Sequence, residues 1–192
     1  MARRLVYYVA CTVDGFIASR DGSFDFFPFA GEHFQDLASE FPETFPTHVR
    51  HLFGATRAPQ HFDTVLMGRA TYEIGLRAGI TSPYGVLRQF VVSASLPASP
   101  DPGVRVYREN PLELVRVLKQ EEGMDIWLCG GAKLAGTLLP EIDELILKIN
   151  PIILGAGIPL FEGSSLVIGA VLKKYKQYPN GFVLARYKLG AD

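Results

Sequence analysis

Two stretches constrain the fold of this chain more than any others: Asp63-Thr-Val-Leu-Met-Gly-Arg-Ala-Thr-Tyr72 and Ile126-Trp-Leu-Cys-Gly-Gly-Ala-Lys-Leu134. In each, a short apolar run of strand character breaks at glycine and opens into a helix. The first N–H groups of a helix have no partner within it, so they point outward and favour an anion. Two such turns in one small domain suggest a cofactor with more than one phosphate group. They point to a dinucleotide enzyme.

The rest of the chain is compatible with that reading. Its 192 residues suffice for one domain, 1–192, with a sizeable core. Hydrophobic residues make up 48% and charged residues 20%, a globular composition rather than a disordered one. A formal net charge of -1 leaves no electrostatic footprint for nucleic acid or an anionic membrane. The N-terminal apolar run ending at Ala10 is too short to span a membrane, meets Asp14-Gly15 soon after, and reads as a first strand. Cys11 and Cys129 lie in apolar strand-like runs, and buried reduced thiols fit a cytoplasmic protein. Without CxxC or a Cys/His cluster, and with His48 and His51 lacking a third ligand nearby, no metal site is expected.

Periodicity and turn signals place strands at Leu5–Cys11, Thr64–Met67, Gln89–Ser93, Val104–Tyr107 and Ile126–Cys129. They place helices at Glu32–Glu40, Ala70–Ala78, Leu112–Glu122 and Ala132–Leu139. Asn110 caps the third of these, with Pro111 at its first position. Thr47–Phe53 reads as a further short helix with Thr47 as N-cap, and Phe16–Phe29 as a Phe-rich loop that could serve as a mobile lid. After Pro140 the pattern changes. Asp143–Asn150 alternates as a strand, Ile152–Gly157 is a Gly-rich loop, and Val171–Tyr178 and Phe182–Leu189 flank Pro179-Asn180-Gly181, a strong hairpin signal. The expected architecture is α/β, a mostly parallel sheet with an antiparallel C-terminal edge.

Several groups could carry chemistry. Gly68 allows a ligand close to the backbone, Arg69 offers a planar cation suited to phosphate, and Thr71 a hydroxyl at a helix start. An ordinary βα turn with a surface arginine would look the same. Gly130-Gly131 lets a pyrophosphate lie against the main chain but matches neither GxGxxG nor a Walker sequence. Ser93 and Ser95 could reach an adenosine 2′-phosphate, or simply begin a solvated loop. Asp25, Glu32 and Asp36 are the carboxylates near the lid. One could hold or protonate a substrate, and spacing does not select among them.

Taken in order, Val13-Asp-Gly-Phe-Ile-Ala18, Val65-Leu-Met-Gly-Arg-Ala-Thr-Tyr72, Val91-Val-Ser-Ala-Ser95 and Leu128-Cys-Gly-Gly-Ala-Lys-Leu134 resemble the dihydrofolate reductases. Asn150-Pro-Ile-Ile-Leu-Gly-Ala-Gly-Ile-Pro-Leu-Phe161 looks more like the reductase domain of the riboflavin-biosynthesis deaminase–reductase. The resemblance runs from Leu5 to Leu189. It implies a three-layer α/β/α fold on an eight-stranded sheet, with NADPH across the strand ends. By position it implies that Ile17 and Ala18 flank the nicotinamide through their backbone. Gly68, Arg69 and Thr71 would meet the pyrophosphate and 2′-phosphate region, with Ser93 and Ser95 near the adenosine phosphate. Gly130, Gly131, Lys133 and Leu134 would form the second phosphate cradle. Tyr8, Ala10 and Cys129 would line the substrate pocket, and Gly155 and Gly157 would border it. In dihydrofolate reductase an acid on the first helix binds the pteridine, and Glu32 is its counterpart by position, with Asp25-Phe26 standing where that family has Pro-Trp.

The resemblance implies a cytoplasmic NADPH-dependent reductase acting on a small, heteroaromatic, pteridine- or pyrimidine-like substrate, with homodimerisation through the C-terminal edge. The alternatives are a non-catalytic dinucleotide- or ligand-binding protein of the same fold and, third, a flavin-binding reductase.

Overall fold

A computed structural model describes residues 2–190. Strands β1 (Leu5–Thr12), β3 (Phe62–Gly68), β4 (Arg88–Val92), β5 (Val104–Tyr107), β6 (Asp125–Gly130), β7 (Glu144–Asn150), β9 (Ala170–Gln177) and β10 (Val183–Leu189) form one sheet in the order β5-β4-β3-β6-β1-β7-β10-β9. Neighbours from β5 to β7 run parallel; β10 pairs antiparallel with both β7 and β9. The expected eight strands and antiparallel edge are therefore present. Edge strand β9 is exposed along its whole length and carries Lys173, Lys174 and Lys176, which discourage indiscriminate strand pairing.

Helices cover both faces. On one face Val6, Tyr8, Val65, Met67, Val91 and Trp127 pack with Leu37, Ala38 and Phe41 and with Tyr72. These partners come from α1 (Glu32–Glu40), the turn after it, and α2 (Arg69–Arg77). On the other face Leu5, Tyr7, Leu66 and Leu128 pack against Val115 and Leu118 of α3 (Pro111–Gln120) and Ala135 and Leu138 of α4 (Ala132–Leu138). The Asn110 side chain accepts the Leu112 N–H at 3.1 Å and Pro111 opens α3, as expected.

Two local readings change. Thr47–Phe53 is a run of turns, not a helix. The Thr47 N–H donates to Pro83 O at 2.7 Å, and its hydroxyl accepts the Gly85 N–H at 2.8 Å. A residue so engaged with a distant loop cannot cap its own segment, and a stretch confined between Pro46 and Gly54 is too short to propagate a helix alone. The Phe16–Phe29 loop is also more ordered than its composition implies. Its first residues form β2 (Phe16–Ala18), which pairs antiparallel with β8 (Ile158–Pro159) from the Gly-rich segment.

That pairing belongs to a larger strap, residues 152–162, laid across the β1–β2 turn and α4. The Val13 N–H donates to Ile152 O, the Leu160 N–H to Gly15 O, and the Glu162 N–H to Ala132 O, at 2.9, 3.0 and 3.1 Å. The Tyr7 hydroxyl donates to Leu160 O at 3.1 Å. The Asp14 carboxylate accepts the Gly155 N–H at 2.7 Å, the Leu154 N–H and the Thr12 hydroxyl. Two glycines permit the contact. A Cβ on Gly157 would lie 2.3 Å from Ala18 O, and one on Gly136 of α4 would lie 2.0 Å from Glu162 O.

Candidate active site

The parallel strands end at a cleft of about 1460 Å³ between the sheet and the α1–α2 face. β3 and β6 are neighbours, with Met67 opposite Gly130, so both glycine turns emerge side by side at its edge. They are in contact: a Cβ on Gly68 would meet the Gly131 nitrogen at 3.3 Å and the Gly130 oxygen at 3.4 Å. The Gly130–Gly131 peptide is cis, with Gly130 at φ +133°. The Thr71 hydroxyl stands over the pair, 3.5 Å from where a Gly131 Cβ would be. Neither α2, after Gly68, nor α4, after Gly131, has a side-chain cap, so their leading N–H groups remain available to a ligand.

Arg69 reaches across this edge. Its Nη1 donates to the Ser95 hydroxyl at 2.7 Å and its Nε to Glu73 at 2.6 Å. The guanidinium is half exposed, so its charge is available to an anion. Ser93 is buried and its hydroxyl accepts the Leu96 N–H at 3.0 Å, which makes it a support for the turn. Ser95 lies just outside the cleft lining and touches it only through Arg69. Lys133 is exposed and 3.8 Å from Glu162, while Leu134 is largely core. Arg108, which the sequence did not single out, lines the same end and donates to Leu96 O at 3.0 Å.

The floor is built by Tyr8, Ala10, Trp127, Cys129, Lys148 and Asn150 from β1, β6 and β7, with Ile17 and Ala18 on the β2 side. Trp127 donates its indole N–H to Tyr8 O at 2.9 Å and is met edge-on by Tyr84 at 4.8 Å. The Tyr84 hydroxyl is 3.8 Å from Cys129 Sγ. Burial raises the Tyr84 phenol well above its ordinary range and pushes the Cys129 thiol up to about 11, so both stay protonated near neutrality. His33 of α1 faces the cleft, stacks on Phe182 at 4.2 Å and pairs with the Asn180 amide; desolvation lowers its pKa.

Besides Ser95, four expected site residues are not brought to the cleft. Asp25 and Glu32 are exposed and do not line it, because α1 turns His33, Leu37 and Ala38 inward and Glu32 outward. Gly155 and Gly157 belong to the strap; Gly157 backs onto Ala18, so its place is behind the β2 wall. Asp36, the third acid considered, accepts bonds from Lys176 and the Tyr178 hydroxyl on the C-terminal hairpin. The main group that sequence reasoning missed is Lys148. Its only signal was a cation on the strand alternation that also carries the inward Ile146.

The model of the RibD C-terminal domain matches residues 3–184. The chain belongs to the RibD C-terminal domain family. An uncharacterized protein of this size from Bacillus subtilis (strain 168), YwjB, is 34% identical over 93% of this chain and 94% of its own length. Among solved structures, the deaminase/5-amino-6-(5-phosphoribosylamino)uracil reductase of Thermotoga maritima superposes with a TM-score of 0.63. It is 16% identical, and the match covers 97% of this chain and 56% of that one. The dihydrofolate reductase of Enterococcus faecalis, solved with NADP(H) and RAB-propyl, gives a TM-score of 0.62 at 17% identity over the full length of both chains. This RibD C-terminal domain therefore has the dihydrofolate reductase-like fold, with its antiparallel C-terminal edge. Among the described residues no helix is long and apolar enough to cross a membrane, and no group of three or more His, Cys, Asp or Glu residues converges as for a metal.

Proposed function

We propose that this chain is an NADPH-dependent reductase of a small, planar, heteroaromatic substrate. One observation carries the reading: two uncapped glycine turns abut at the edge of a deep cleft, with the Arg69 guanidinium set beside them. The residues fit a dinucleotide. A side chain at Gly68 would press on the Gly130–Gly131 backbone and drive the two turns apart, and α2 offers its first N–H groups at that edge. Arg69 and Arg108 supply cations for a terminal phosphate, which favours NADPH over NADH. NADPH, when bound, supplies a hydride from nicotinamide C4. The chain's own part is to hold the ring against the Ile17–Ala18 backbone, set the aromatic side chains of Tyr8 and Trp127 and the Lys148 ammonium beneath the substrate, and exclude water. The family's reductase member and the NADP(H)-bound neighbour support this assignment.

The exposure of Asp25 and Glu32 favours one second reading, a binding protein without turnover. NADPH titration followed by the fluorescence of Trp127, the one tryptophan of the chain, tests both. Arg69→Ala is expected to weaken NADPH about tenfold or more, the worth of a charge-assisted bond, and to leave NADH unchanged. No binding of either nucleotide would overturn the assignment. Binding with no oxidation across pterins, pyrimidine ribosides and quinonoid compounds would select the second reading.

A further inference from the structure

Lys148 is the cation of the cleft floor, and the protein supplies no counter-charge for it. It lies on β7, opposite Ala10 of β1 and Leu184 of β10, with Nζ 4.2 Å from the Tyr8 ring centroid. Among the described residues its ammonium has no hydrogen bond or ion pair; the face of Tyr8 is its partner. The four carboxylates that line the cleft are engaged elsewhere. Glu73 holds Arg69, Glu162 is near Lys133, Glu109 interacts with Tyr107, and Asp21 is bound by Ser19 and Ser23. α1 contributes His33 and Leu37 to the cleft but no acid. A charge partly withdrawn from water and without an anionic protein partner is stabilised by any ligand that brings the opposite sign.

We propose that Lys148 is the substrate anchor of this cleft, and that the molecule it takes is a planar, unsaturated compound bearing an anionic oxygen, such as a ring carboxylate. The proposal deepens the reductase reading and rests on it for the cleft being a substrate site. It also inverts the polarity expected from an acid on the first helix: the fixed charge is positive and comes from the sheet. Neighbouring groups leave Lys148 as the one that changes state in mildly alkaline solution. Tyr8 and Cys11 of β1, Cys129 of β6 and Tyr84 are all held protonated by burial, and His33 is shifted down. Arg186, next along β10, is paired with Glu40. Desolvation brings the Lys148 ammonium itself down to about 8.

Calorimetric titration with matched pairs that do not themselves titrate in this range, pyrazinoate against pyrazinamide and benzoate against benzamide, tests the anchor. At pH 7 the acids should bind about tenfold or more tighter than the amides, as expected for a hydrogen bond to a charged group. Lys148→Met should abolish the preference, Lys148→Arg should retain it, and neither should change NADPH affinity. In the unmodified protein the preference should fade between pH 7 and 9.5 as the amine loses its proton, a readout independent of any variant. Equal affinity within both pairs, failure of both acids to bind, a preference that survives Lys148→Met, or one undiminished at pH 9.5 would each overturn the proposal. If NADPH fails to bind while the acid preference behaves as described, the anchor stands and the reductase reading falls.

Discussion

Replacing a glycine inside a helix with alanine ordinarily stabilises a protein by up to about 1 kcal/mol. At Gly136 of α4 the opposite is expected. The new Cβ would sit 2.0 Å from Glu162 O, and ordinary contact begins at 3.4 Å, so helix and strap must separate by 1.4 Å (3.4 minus 2.0). The strap cannot retreat freely. It is held by the Tyr7 hydroxyl on Leu160 O, by the Leu160 N–H on Gly15 O, and by the β2–β8 ladder. Overpacking of this kind costs about 1–3 kcal/mol. Stretching the Glu162 N–H bond to Ala132 O, 3.1 Å long, adds roughly 1 kcal/mol. The helix-propensity gain offsets about one of these, leaving a net loss of about 1–3 kcal/mol. For a chain of this length that lowers Tm by about 2–12 °C. Urea denaturation read by Trp127 fluorescence and thermal melts by circular dichroism measure it. The adjacent exposed Thr137→Ala is the control, expected within about 0.5 kcal/mol of the parent. A Gly136→Ala protein as stable as the parent, or more so, would refute the close-approach argument.

Glu43 is fully buried, and its carboxylate accepts the N–H groups of Gln60, His61 and Phe62 at 3.2, 2.8 and 2.9 Å. Glu43→Ala is expected to cost about 2–4 kcal/mol by chemical denaturation, since three backbone donors lose a charged acceptor, and a loss below about 1 kcal/mol would contradict that role. Asp14 titrates below the usual carboxylate range because of the Thr12 hydroxyl and then the Gly155 and Leu154 N–H groups. Its clamp on the strap is therefore complete above the ordinary carboxylate pKa and is lost as pH falls through the depressed one. Hydrogen exchange at the Leu154 and Gly155 amides, corrected for intrinsic rates, should lose protection over that acid range and be weak at every pH in Asp14→Asn; protection independent of pH from 5 to 2 would exclude the clamp.

Local chemistry was readable where it decides the outcome alone. Asn110-Pro111 starts a helix, Asn180-Gly181 turns a hairpin, and glycine after an apolar strand makes a βα turn whatever surrounds it. What tertiary contact decides was not readable. Thr47 looks like a cap until Pro83 and Gly85 occupy its hydrogen bonds. β2 and β8 are too short to show a period, and they exist because Gly157 lets the two segments touch. Glu32 and His33 are adjacent in sequence, and only the rotation of α1 about its axis places His33 in the cleft. Lys148 was hidden for a related reason. Alternation along β7 separates two faces, and which face opens onto a cleft depends on helices elsewhere in the chain.

The strap also fixes where the molecule can bend. By tying the β1–β2 turn to α4, it joins a wall of the cleft to a helix packed on the opposite side of the sheet. Residues 13–18 and 152–162 therefore move as one rim with α4. Among the described residues no hydrogen bond ties the strap to the segment between the Ser19–Ser23 turn and the start of α1 at Glu32. The Phe-rich stretch 24–31 can therefore shift against this rim without breaking the strap.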